Sequence, residues 1–319
     1  MSTHNSSART VRVSSRCKRW LAAGAAATLL ALSACGGDSV DRGPTTIPVT
    51  AKLDGLYWDA AQARLYLTDD DANAIKSWDG GQNFSVAYQL PAMAAGQRTT
   101  LGQLTRGADG NLYATRFGFG SYGTVVAAPQ AGQAYNLTGL EGTRRRIGIT
   151  PTADAKLIVG WFRGGNAATP SGVISELTLG AGGQASEKDL VAALSKPAGV
   201  AVVGDQLFVA DQGAGKLLAY SLTGVRAQPA TAESGRVVAS FTTTDGLDLM
   251  TAATDGTLYF GGSGGTLYAV SPQGAVKTLA SGWPGIRGVA LDAENKRLFV
   301  AVTAPQSGGS ASIRIVPLD

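Results

Sequence analysis

Short apolar runs separated by polar, glycine-rich turns recur along this chain, and they come in pairs. The first run of each pair enters a turn. The second opens with Leu followed by an aromatic or aliphatic residue. The copies are Leu65-Tyr66, Leu112-Tyr113, Leu157-Ile158, Leu207-Phe208, Leu258-Tyr259 and Leu298-Phe299. Such runs bounded by turn residues predict strands. Asp109-Gly110 and Asp255-Gly256 are hairpin turn signals, because Asp and Gly tolerate the positive φ of tight turns. The copies recur at roughly 40–50 residues, the period of β-propeller blades. The pattern therefore predicts an all-β fold, a six-bladed β-propeller, with its ligand site at the mouth of a central channel.

Closing the ring requires an answer to open sheet edges, which invite aggregation. Ser312-Ile313-Arg314-Ile315-Val316 ends the chain as a strand, and Ile47-Pro48-Val49-Thr50 opens the repeated region as another. The two are predicted to pair within the last blade and stitch the ring shut.

The chain before residue 47 reads differently. Arg9, Arg12, Arg16, Lys18 and Arg19 precede an alanine-rich apolar stretch, Leu21 to Ala34. That stretch is shorter than the roughly 20 residues of a spanning helix, so it reads as a signal peptide. Leu32-Ser33-Ala34-Cys35 resembles a bacterial lipobox, which implies cleavage before Cys35 and lipidation of its thiol. Gly36 follows the cysteine, and the sorting rule of that class then points to the outer membrane, facing the periplasm. The expected organisation is a signal peptide over 1–34, a lipidated cysteine and flexible tether over 35–46, and a propeller over 47–319.

Cleavage changes the charge and the available chemistry. The whole chain carries 27 Lys and Arg against 23 Asp and Glu, a formal net charge of +4. Five of those bases and none of the acids precede Cys35, so the remainder sits at about −1. Nucleic acid is not an expected partner, since its footprint is a strong basic patch. The only histidine, His4, and Cys17 leave with the signal. What remains excludes a Ser-His-Asp triad, a Cys-His pair, a His-ligated zinc site and structural disulfides.

Leu53-Asp54-Gly55-Leu56-Tyr57-Trp58-Asp59 followed by Arg64-Leu65-Tyr66-Leu67-Thr68-Asp69 resembles the opening blade of the senescence-marker-protein/gluconolactonase-like propellers. Lys196-Pro197-Ala198-Gly199-Val200-Ala201, with Leu207-Phe208-Val209-Ala210-Asp211, fits the same family or its NHL-repeat relatives. The resemblance implies one divalent cation, calcium above all, in the channel mouth. Its ligands would be a glutamate, an asparagine and an aspartate. The metal would polarise a lactone carbonyl while a carboxylate helps deliver water.

Carried over residue by residue, the glutamate falls on Asp54, the asparagine on Ala198 and the aspartate on Asp248, which would also be the catalytic carboxylate. The substrate-facing pair of blade two falls near Gly102 and Gln103. Two acids remain and a neutral ligand is lost, so metal binding is expected to be weak or absent.

Three further groups compete for roles. The acidic loop of Asp69, Asp70, Asp71 and Asn73 suits either calcium or loop closure by side-chain-to-backbone hydrogen bonds. Arg145 within Arg144-Arg145-Arg146, together with Lys196 and Arg287, forms either an anion-binding mouth or salt bridges to Asp54 and Asp248. Phe117, Phe119 and Trp161 either stack on a ligand or pack between blades.

The leading expectation is a monomeric, lipid-anchored propeller that binds a small molecule or an envelope protein at its mouth, through Gln103, Arg145, Lys196, Arg287, Trp161 and Phe119. A metal-dependent lactone or ester hydrolase and a structural scaffold are the alternatives.

Overall fold

A computed structural model describes residues 46–81, 83–98, 100–164 and 171–318. Cys35, the signal segment and nearly all of the tether lie outside them. The described residues form six sheets in sequence order, antiparallel except where Ala230–Thr231 adds a parallel edge strand to the third. The inner strands are Leu53–Asp59, Leu101–Arg106, Arg145–Pro151, Pro197–Val203, Leu247–Ala252 and Ile286–Asp292. Each starts a blade, and successive strands of the chain step outward from it.

The predicted closure is present. Thr46–Val49 pairs antiparallel with Ala311–Pro317, placing Ile47 opposite Ile313 and Val49 opposite Ala311. The last blade thus takes three strands from the C-terminal end and its outermost strand from the N-terminal side. The two signalled turns also form, with Gly110 at φ 80° and Gly256 at φ 87°.

The apolar residues of the Leu-aromatic copies fill the wedges between neighbouring blades, in six separate clusters. In the closing wedge, Phe299 is fully buried. It stacks on Trp58 at 5.1 Å and meets Trp78 edge-on at 6.0 Å. Burying a side chain of this size stabilises by about 1.5–3 kcal/mol relative to leaving it in water.

A β-bulge breaks the pairing of every inner strand near its start. In blade one, Leu53 faces Asp69 and Leu56 faces Leu67, so Asp54 and Gly55 together oppose Thr68. In blade six, Ile286 faces Val302 and Val289 faces Val300, so Arg287 and Gly288 oppose Ala301. A bulge bends the strand and re-aims a side chain. Repeated around the ring, it places Asp54, Gly102, Ile147, Ala198, Asp248 and Arg287 in one circle beside the axis.

Glycine lets these strands approach each other. A Cβ at Gly55, Gly199 or Gly288 would lie 2.5 Å from the carbonyl of Gly102, Asp248 or Asp54, respectively. Each glycine thus receives a bulge carbonyl of the next blade, and the inner circle is held at a fixed radius.

Candidate functional site

The circle of bulge residues forms the floor of a cavity of about 490 Å³. That is within the range of small-molecule sites. Lys52, Asp70, Thr100, Phe117, Phe119, Lys196 and Gln212 rise around it.

At its centre, Arg287 joins the two acids. Its Nε donates to Asp54 Oδ1 at 2.6 Å and its Nη1 to Asp248 Oδ2 at 2.8 Å. Nη2 approaches the same Asp54 oxygen at 2.5 Å. Both carboxylates are nearly inaccessible to water, whereas the arginine side chain is 42% exposed.

Burial is the largest influence on both acids. It pushes Asp54 up to about 7 against the pull of Arg287, with the negative charges of Asp70 and Asp248 adding to the rise. It likewise raises Asp248 above the usual carboxylate range, opposed by Arg287 and Lys196. In return Asp248 and Asp54 hold the Arg287 guanidinium above its ordinary value, although burial pulls the other way. All three shifts describe one dependence: two buried acids share one cation.

The donor set does not fit a bound metal ion. Ala198 stands where the resemblance would require a neutral oxygen ligand, and its methyl group offers none. The two carboxylates that remain are engaged by Arg287. Among the described residues no group of three His, Cys, Asp or Glu side chains converges as a metal ligand set.

The acidic loop closes on the backbone. Asp69 Oδ1 accepts from the N–H groups of Lys52, Asp71 and Ala72 at 3.0–3.3 Å, and Lys76 pairs with its other oxygen at 2.6 Å. Asp70 Oδ1 accepts from the Leu101 N–H at 2.6 Å, and Lys52 pairs with Oδ2 at 3.0 Å.

Three expected ligand contacts lie elsewhere. Gln103 sits one residue beyond the bulge position, and its side chain crosses the channel below the cavity. Its Nε2 donates to the Met250 carbonyl at 2.8 Å, and its Oε1 accepts from the Ile149 N–H at 3.2 Å. It ties three blades together instead of facing a substrate. Trp161 is 2% exposed and packs within blade three, with Nε1 donating to Ser175 Oγ at 2.7 Å and Arg144 stacked 4.1 Å from its ring centroid. Arg145 does not line the cavity. Its guanidinium sits 5.2–6.0 Å from the rings of Phe119, Phe117 and Phe162 and backs that aromatic wall.

Lys196, Arg287 and Phe119 do reach the cavity, as do Asp54 and Asp248. Sequence reasoning missed Lys52. Its only signal is its position directly before the blade-one strand, next to the aspartates that the turn brings back.

Solved structures with this architecture include a luciferin-regenerating enzyme, with a TM-score of 0.62 and 16% identity over 86% of this chain and 95% of that one. A gluconolactonase from Xanthomonas campestris matches with a TM-score of 0.63 and 18% identity, over 84% of this chain and 86% of that one. A calcium-binding protein, regucalcin, from Agrobacterium tumefaciens gives 0.59 and 14%, over 85% and 94%. The chain has the gluconolactonase-like propeller fold. No family model matches it, and no curated protein sequence does either. At these identities the likeness extends to the architecture, and this propeller's site is read from its own side chains.

Proposed function

We propose that this propeller binds a small organic anion in its axial cavity, with Arg287 as the fixed positive charge. The observation that supports this is the posture of Arg287. A guanidinium has five N–H donors. Three are aimed at Asp54 and Asp248, and the exposed edge retains two for a ligand. The acids hold the guanidinium in place, so an incoming anion meets a donor pair that is already oriented. Lys196 adds a second positive group, and Phe117 and Phe119 offer an apolar wall. A carboxylate with an aromatic or aliphatic body matches those features.

The expected lipid on Cys35 would hold this cavity in the periplasm, with the propeller acting as a monomer and without nucleic acid. A lactonase, the activity named for the Xanthomonas protein, working here with a metal, is favoured by one observation, the survival of Asp54 and Asp248 on either side of Arg287 in the ring.

Calorimetric titration separates the two readings. The purified protein is titrated with phenyllactate, an aromatic carboxylate, and with calcium. Saturable phenyllactate binding that persists in chelator and falls at least tenfold in Arg287→Gln supports the anion site. Saturable calcium binding with chelator-sensitive lactone hydrolysis supports the lactonase. An absence of phenyllactate binding overturns the anion reading.

A further inference from the structure

The same cavity contains an amine without an acceptor. Lys196 immediately precedes the inner strand of blade four. Its backbone is fixed by Asp211, whose two carboxylate oxygens accept from the N–H groups of Ser195 at 2.9 Å and Lys196 at 2.7 Å. Pro197 restricts the residue further, because proline holds its predecessor in an extended conformation. The side chain then lies along the cavity wall, with Nζ 5.6 Å from the centroid of the Phe162 ring.

The other lysines of restricted or comparable setting are paired. Lys52 reaches Asp70 at 3.0 Å, Lys76 reaches Asp69 at 2.6 Å, and Lys156 reaches Glu176 at 2.8 Å. Among the described residues, Lys196 Nζ makes no hydrogen bond and no ion pair, although it is half-buried. Burial lowers its basicity, and the neighbouring guanidinium of Arg287 acts in the same direction, while Asp248 opposes them. An amine desolvated beside another cation is the arrangement that makes lysine a nucleophile toward carbonyl carbon.

We propose that Lys196 captures the carbonyl group of a 2-oxo acid as a reversible imine, with the ligand's carboxylate on Arg287. This deepens the anion-binding reading and rests on it for the orientation of the ligand. The neutral Nζ attacks the carbonyl carbon. A C–N bond forms, the carbonyl π pair moves to oxygen, and one nitrogen-bound proton passes to that oxygen through solvent. The carbinolamine then loses its hydroxyl group and the second nitrogen-bound proton as water, leaving the C=N bond. Amine and ketone give imine and water, so no oxidant, reductant or metal enters the balance. Protonated, the imine carries the positive charge of the original lysine and still faces the field of Asp248. The aromatic wall selects 2-oxo acids with an apolar body.

The test uses phenylpyruvate and cyanoborohydride, which reduces an imine to a stable secondary amine. Intact-mass and peptide analysis of the wild-type protein should show one adduct at Lys196, with a mass gain equal to the probe less one oxygen atom. Lys196→Arg should lose the adduct; phenyllactate, which has the carboxylate and ring but no ketone, reports the anion site on the wild-type protein. Lys216→Arg, an exposed lysine outside the cavity, should retain the adduct. Phenyllactate binding without an adduct, or labelling spread over surface lysines with no preference for Lys196, overturns the imine and leaves the anion site standing. An adduct at Lys196 without phenyllactate binding supports the reactive amine and overturns the carboxylate cradle on Arg287.

Discussion

Two arginines one register position apart show what the bulge does. Arg146 stands just before the bulge of blade three, opposite Trp161, and Arg287 stands on the bulge of blade six. The side chain of Arg146 is wholly buried. It donates from Nη1 to the carbonyls of Gly123, Glu141 and Arg144 at 2.8–3.3 Å, and from Nη2 to Glu187 at 2.6 Å. Arg287 turns to the axis, meets two acids and keeps an exposed edge. Their basicities move in opposite directions. Burial lowers that of Arg146, whereas Asp248 raises that of Arg287. Along a strand, a shift of one residue exchanges faces. Here it exchanges a structural tie for a binding group.

The largest expected effect is at the structural arginine. Arg146→Met would take from the nearly buried Glu187 carboxylate its 2.6 Å partner, leaving Arg144 at 3.7 Å, and would remove the guanidinium from the carbonyls of Gly123, Glu141 and Arg144, of which Glu141 keeps the Arg144 N–H. Breaking a buried pair from one side costs about 3–5 kcal/mol. Urea unfolding should show that loss in the midpoint, and phenyllactate affinity of the remaining folded fraction should stay near wild type. A loss below about 1 kcal/mol would mean that the buried arginine is not a tie, and the contrast with Arg287 would collapse.

Arg287→Gln should do the reverse. Its outer face is in water, so solvent screens part of the consequence, and the expected stability loss is about 1–2 kcal/mol. The loss in phenyllactate affinity should be at least tenfold. A variant that keeps its affinity would place the anion on Lys196 alone, and the functional half of the comparison would then move to blade four.

The same geometry explains which features were legible in the sequence. Leu65-Tyr66, Leu298-Phe299 and their counterparts mark strands that fill the wedges, and burial of such residues follows from local pattern. The closing strand was legible because Ile47 and Ile313 belong to runs that need a partner edge. Asp54, Asp248, Lys196 and Arg287 were legible as mouth residues, since each stands at the start of an inner strand. What they do there was left open, because the bulge sets side-chain direction and the bulge exists only in the paired sheet. Gln103 fell on the wrong side of that device by one residue, and Arg145 went behind Phe117 and Phe119 for a related reason: its strand has not yet reached the bulge. Trp161 found a buried acceptor in Ser175, a contact that depends on pairing between two strands.

The smallest expected effect is the most discriminating about charge. The Asp54 carboxyl is raised from 3.8 to about 7 in the folded protein, first by burial. Between those values the native state retains a proton that the unfolded chain has released. The stabilisation is therefore complete below about pH 4 and is lost as the pH rises toward 7. Asp248, shifted upward as well, adds to the same slope. Asp54→Asn keeps the shape of the side chain and an oxygen to accept from Arg287 Nε, but removes the titration. Its melting temperature should fall less between pH 4 and pH 7 than that of the wild type. The gap between the two proteins should close, or reverse in favour of the variant, at the upper end. An unchanged slope in the variant would show that Arg287 keeps Asp54 ionised throughout, and its guanidinium would then be more fully committed to the acids than its exposed edge implies.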